Sequence, residues 1–186
     1  MHRRHLLLIA GAALAAGCSS NPPSAEEAGA KRREIDSGVD TALADLFSHA
    51  KGSRQLATTA KGMLVFPKVI NAGFIVGGSY GQGALRKGTT SAGYYSISAG
   101  SVGLLAGAQS KSIYVLFMTQ DALRKFESSE GWTVGADASV VLLDEGAEAR
   151  GDTQTAQAPV IGYVRNQSGF MANLSIDGTK FNKLKL

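Results

Sequence analysis

Phe66–Arg86 reads FPKVINAGFIVGGSYGQGALR and carries Gly73, Gly77, Gly78, Gly81 and Gly83, with Gly88 just beyond. A glycine in a helix interior costs ~1 kcal/mol against alanine, so a stretch this rich does not read as helix. It suits strands that bulge, or that let another backbone or a ligand come close. Gly73, Gly77 and Gly81 also recur at the spacing of a packed membrane helix. The uninterrupted apolar run between them, Ala72–Val76, is far short of the ~20 residues a spanning helix needs. The stretch therefore predicts two glycine-kinked strands, Met63–Val69 and Ala72–Tyr80.

Upstream, Ile35, Val39, Leu43, Leu46, Phe47 and Ala50 fall at helical spacing and predict an amphipathic helix over Glu34–Ala50, broken by Gly52. Its polar face is acidic, which favours packing on a core over lying on a membrane. Ser53 is placed to cap a second helix, Arg54–Lys61, closed by Gly62. Downstream, strands are expected at Tyr94–Ser98, Ser101–Ala108 and Ile113–Thr119, the last a continuous apolar run suited to burial on both faces. A short helix follows at Asp121–Ser128, capped by Thr119 or Gln120. Trp132–Leu143, Val160–Val164, Phe170–Ile176 and Lys180–Leu186 read as further strands, with a polar loop over Glu145–Ala158 and a hairpin turn at Asp177-Gly178. Helices first and many strands after predict an α+β fold: N-terminal helices packed on a curved, mainly antiparallel sheet or partial barrel, with one short helix between strands.

Three separated blocks, FPKVINAGFIVGGSYGQG, GYYSISAGSVGLLAGAQSKSIYVLFMT and GWTVGADASVVL, resemble the SYLF domain family in the family's order. That family includes bacterial lipoproteins and eukaryotic proteins tied to phosphoinositide-rich membranes and actin patches. The resemblance implies a non-catalytic domain that binds phosphoinositides or other anionic lipids. Asn71 stands where the family's V-I-K-A-G-F segment often has lysine. Actin binding is not carried over, because no adjoining peptide-binding or zinc-finger module is evident.

The chain opens on a basic His2–His5 and an apolar Leu6–Ala16, the pattern of a signal peptide rather than a membrane span. Leu14-Ala15-Ala16-Gly17-Cys18 resembles a bacterial lipobox, with Ala15 where leucine is commoner. This predicts a leader over 1–17, a lipidated Cys18 and flexible tether over 18–33, and one domain over 34–186. Cys18 is the chain's one cysteine, so no internal disulfide forms. Diacylglycerol plus an amide-linked chain such as palmitate would anchor it firmly. Ser19, in place of aspartate, points to the outer membrane, facing periplasm or surface. Loss of Arg3 and Arg4 lowers Lys+Arg from 19 to 17 against 15 Asp+Glu, a side-chain balance of +2. That balance, with no basic run interleaved with aromatics, does not suit nucleic acid.

The residues carry little catalytic chemistry. Beyond the leader, His49 is the one histidine, so neither a triad nor a histidine–cysteine metal site assembles readily. GGSYGQG lacks the Lys-Ser/Thr of a phosphate loop. Asp137, Asp144, Glu145, Glu148 and Asp152 could pair for acid–base work but lie in a polar stretch that reads as loop. No catalytic residue, metal or cofactor is assigned. The expected ligands are membrane lipids, through acylated Cys18 and through headgroups at Lys61, Lys68, Arg86, Lys87 and Lys111 beside glycine-rich backbone. The alternative is an envelope scaffold that binds a protein partner at a sheet edge or glycine face.

Overall fold

The computed structural model describes residues 23–73, 76–102, 109–143, 157–166, 169–170 and 176–186. The leader, Cys18, the first residues of the tether, and Asp144, Glu145, Glu148 and Asp152 lie outside the described residues. Helix α1 (Ala25–His49) begins nine residues before the expected start. Ser24 and Glu27 form a reciprocal capping box: Glu27 N–H donates to Ser24 Oγ at 3.2 Å, and Ser24 N–H to Glu27 Oε2 at 2.8 Å. Residues 25–33 are thus helix rather than flexible tether, with Ala28 buried. The buried stripe is Ile35, Val39, Ala42, Leu46 and Ala50, while Leu43 and Phe47 are half-buried.

Helix α2 (Ser53–Thr59) is entered through Gly52, whose φ of 79° needs glycine. Ser53 is not its cap. The residue is fully buried and its hydroxyl donates backwards to the Ala50 carbonyl at 2.6 Å. Gly62, expected to close the helix, begins a strand.

The strands are β1 (Gly62–Gly73), β2 (Val76–Lys87), β3 (Thr90–Val102), β4 (Gln109–Phe117), β5 (Gly131–Thr133), β6 (Val141–Leu143), β7 (Val160–Asn166), β8 (Gly169–Phe170) and β9 (Lys180–Lys183), with α3 (Gln120–Ser128) after β4. They form one sheet in the order β5-β9-β3-β2-β1-β4-β7-β6, with β8 beside β7. All pairings are antiparallel except β6–β7. The expected α+β class holds, as an N-terminal helix on a curled half-barrel. Several boundaries differ. Ala72–Tyr80 straddles the β1–β2 connection instead of forming one strand, and Tyr94–Ser98 runs on to Val102 as a single strand. Trp132–Leu143 divides into β5 and β6 around the Gly135 turn, where φ is 87°. The Asp177-Gly178 turn forms, but β9 beyond it pairs with β3 and β5 rather than folding back as a hairpin.

Curling follows from who touches whom. Phe66 on β1 and Phe181 on β9 lie three strand spacings apart, ~14 Å in a flat sheet, yet their rings stack with centroids 5.3 Å apart. The concave face closes on Phe66, Tyr95, Phe117, Trp132 and Phe181, capped by Phe126 of α3. The opposite face, with Val65, Tyr114, Leu116 and Tyr163, is covered by α1. Tyr114 shows how closely: its hydroxyl donates to the Ala42 carbonyl at 3.0 Å, and burial pushes its pKa up to about 12.

Candidate functional site

The opening glycines act on β1. Between Val65 and Lys68 the β1–β2 register shifts by one residue, a bulge at Phe66-Pro67. Proline fits there because it has no N–H to give the ladder. The bulged backbone leans over β2. A Cβ on Gly83 would sit 2.0 Å from the Val65 carbonyl oxygen and 2.7 Å from the Phe66 ring, and one on Gly81 would sit 2.6 Å from the Lys68 oxygen. Gly77 has no positive φ; the demanding glycines are 81 and 83.

Beyond the bulge, β1, β2, β3 and β4 run past the core as far as residues 73, 76, 102 and 109, and β7 ends beside them at Asn166. Ser110, Lys111, Ser112, Arg165 and Asn166 line a hollow of about 180 Å³ at this end. Ser112 donates to the Pro67 carbonyl at 2.8 Å, which ties the hollow to the bulge. Arg165 is held by Asp45 of α1 at 2.5 Å. Lys111 is half-buried, and burial alone lowers its pKa. Neither a hydrogen bond nor an ion pair engages it among the described residues. The hollow thus presents the Lys111 ammonium and the Ser110 hydroxyl beside the Arg165 guanidinium that Asp45 holds, cationic and hydroxyl groups of the kind an oxyanion takes.

The five expected cations do not share a surface. Lys68 and Lys111 come to the same end, since Lys111 pairs with Val69 next to Lys68. Lys61 lies seven residues before Lys68, ~23 Å along an extended chain. Arg86 and Lys87, adjacent on a strand, turn to opposite faces. Arg86, 11% exposed, pins α1 through Asp40 at 2.5 Å and the Asp36 carbonyl at 3.3 Å; Lys87 pairs with Glu127 of α3 at 2.7 Å. Sequence reading missed Arg165, Ser110, Ser112 and Asn166, because β7 joins β4 only in the folded sheet.

Asn71 accepts a hydrogen bond from Ser79, its cross-strand partner. Positions 69 and 71 share a face, so Lys111, opposite Val69, lies on the face where the family's lysine would stand. Lys68, three residues from Asn71, lies on the other.

No cluster of metal-binding side chains occurs among the described residues. His49 has Ser48 Oγ at 2.9 Å and Asp45 Oδ1 at 3.2 Å, but both meet the same nitrogen, Nδ1, whereas a triad divides them between two. Asp137 is spent on the Thr133 N–H at 2.6 Å.

Residues 98–185 match the family described as Ysc84, Las17-binding protein actin regulator. Over those residues the chain matches the SYLF domain family. The match runs from the middle of β3 to the end of the sheet, so it includes every residue lining the hollow, while β1 and β2 precede it. The SYLF family is generally one of non-enzymatic binding domains. A search of curated proteins returned no match. No helix among the described residues is long and apolar enough to cross a membrane.

Proposed function

We propose that this SYLF domain binds the phosphate group of anionic lipids in the hollow of Ser110, Lys111, Ser112, Arg165 and Asn166. The observation that carries the reading is Lys111, a half-buried ammonium with no carboxylate partner among the described residues. A buried charge without a partner is costly, and a bound anion offsets that cost. Lys68 adds a second positive charge at the same end.

The sequence of residues 14–18 supports an acylated Cys18, which would hold the chain to a bacterial envelope membrane, with Ser19 favouring the outer one. Anchoring makes high intrinsic affinity unnecessary, because a tethered domain meets headgroups at an effective concentration of roughly millimolar. Fractionation of cells expressing Cys18→Ser tests the anchor: the variant should leave the membrane pellet.

The headgroup reading is tested on the chain without its leader, residues 18–186, carrying Cys18→Ser. It should co-sediment with phosphatidylglycerol-containing vesicles more than with phosphatidylcholine alone, and high salt should erase the difference. Equal binding to both vesicle types contradicts the reading and leaves a protein-binding scaffold in its place.

A further inference from the structure

Two large apolar side chains stay uncovered beside the hollow. Ile70 is 44% exposed and Tyr80 54%, and no other large apolar side chain is exposed to this degree among the described residues. They form a single feature, since Ile70 and Tyr80 face each other across the β1–β2 ladder. Their row continues to Ser110 on β4 and Ser98 on β3. One step inward on the same face, ~7 Å along the strands, the row is polar: Lys68 opposite Gln82, and Gln82 opposite Ser96. Gln82 Nε2 donates to the Tyr80 hydroxyl at 3.2 Å, joining the two rows. Around the pair Ala72, Gly78 and Gly100 are exposed, and a Cβ on Gly100 would meet nothing within 4 Å.

The charge of this end has one sign. Residues 67–73, 76–82, 96–102, 109–112 and 164–166 contain Lys68, Lys111 and Arg165 and no Asp or Glu. Asp45 of α1 reaches this end and is held by Arg165 and His49.

We infer that this end of the sheet dips into a lipid bilayer, with Ile70 and Tyr80 seated below the headgroups and the Lys68–Gln82 row level with them. The layering carries the assignment. The apolar pair stands farther out along β1 and β2, and the row of Lys68, Gln82 and Ser96 lies one step behind it, the order in which an anionic bilayer presents acyl chains and phosphates. Tyrosine suits such a boundary, with an apolar ring and a hydroxyl that keeps its hydrogen bond. A second copy of this chain docked on the same patch would bring Lys68 against its own kind. The inference rests on the membrane reading above but concerns a different contact: the hollow takes a phosphate, and this pair takes the hydrocarbon beneath it.

The test uses residues 18–186 with Cys18→Ser, so that Tyr80→Cys or Thr89→Cys supplies the one thiol for an environment-sensitive fluorophore. Thr89 is exposed in the turn at the far end of the same strands. On vesicles of phosphatidylglycerol in phosphatidylcholine, the probe at 80 should shift to the blue and be quenched by lipids spin-labelled high on the acyl chain, while the probe at 89 should not. Ile70→Ser with Tyr80→Ser should lower vesicle partition about tenfold with little change in Tm. Absence of quenching at 80 on bound protein, or equal quenching at 80 and 89, overturns the inference. So does a solution dimer that the double variant dissolves. Quenching at 80 without anionic preference upholds insertion and sinks the headgroup reading; anionic preference without quenching does the reverse.

Discussion

Lys111 is a residue that costs the fold something. Burial lowers its pKa from the usual 10.5, so between the folded and unfolded values the unfolded chain holds more protons. The cost of burying the charge is therefore present in full below the folded pKa, and stability rises with pH through that window. Lys111→Met should raise Tm by roughly 2 °C at neutral pH and flatten the alkaline rise, while weakening binding to anionic vesicles; calorimetry from neutral to alkaline pH checks both signs. A fall in Tm would mean that Lys111 holds the sheet together. Gly83 is the converse, a residue the fold cannot exchange. Gly83→Ala drives a Cβ into the Val65 carbonyl and should cost about 3 kcal/mol or more in a denaturant melt. The density of glycine in residues 66–86 announced a bulge, but which glycines it needed was not legible, because Gly83 meets β1 through a register that no local pattern states.

At the scale of elements, α1 was legible in its apolar stripe and misjudged at its start. Ser24 followed three residues later by Glu27 is a cap signature present in the sequence, yet the polar composition of residues 25–33 reads first as tether. Ser24→Ala should cost ~1 kcal/mol and speed hydrogen exchange at residues 26–28, leaving the exchange of β1 unchanged. The cations show the opposite limit. Arg86 and Lys87 read as free charges near a glycine-rich strand, but strand alternation sends one to α1 and the other to α3. Arg86→Ala leaves Asp40 and Asp36 without their cation; it should lower Tm by a few degrees and leave vesicle binding of the folded protein unchanged. Strand boundaries were the hardest to place, because Ala72–Tyr80 is apolar and small on both sides of the point where β1 gives way to β2.

Among the described residues the molecule is a curled sheet with two covered faces and one end that neither helices nor aromatic side chains cover. Helix α1 seals one face, aromatic side chains and α3 fill the other, and β1–β4 run beyond both. Order along the chain and apolar content made the α+β class readable. The meeting of β4 with β7, which builds the hollow, was not, since some fifty residues separate Lys111 from Arg165. The central claim is that anionic headgroups bind at this end. Amide chemical-shift mapping of residues 18–186 carrying Cys18→Ser, with short-chain phosphatidylglycerol below its micelle concentration, tests that claim most directly. Shifts should gather at residues 110–112 and 165–166 and vanish in Lys111→Gln, with short-chain phosphatidylcholine leaving them unmoved. Shifts centred on Lys61, Arg86 and Lys87, or the same shifts with phosphatidylcholine, would contradict it.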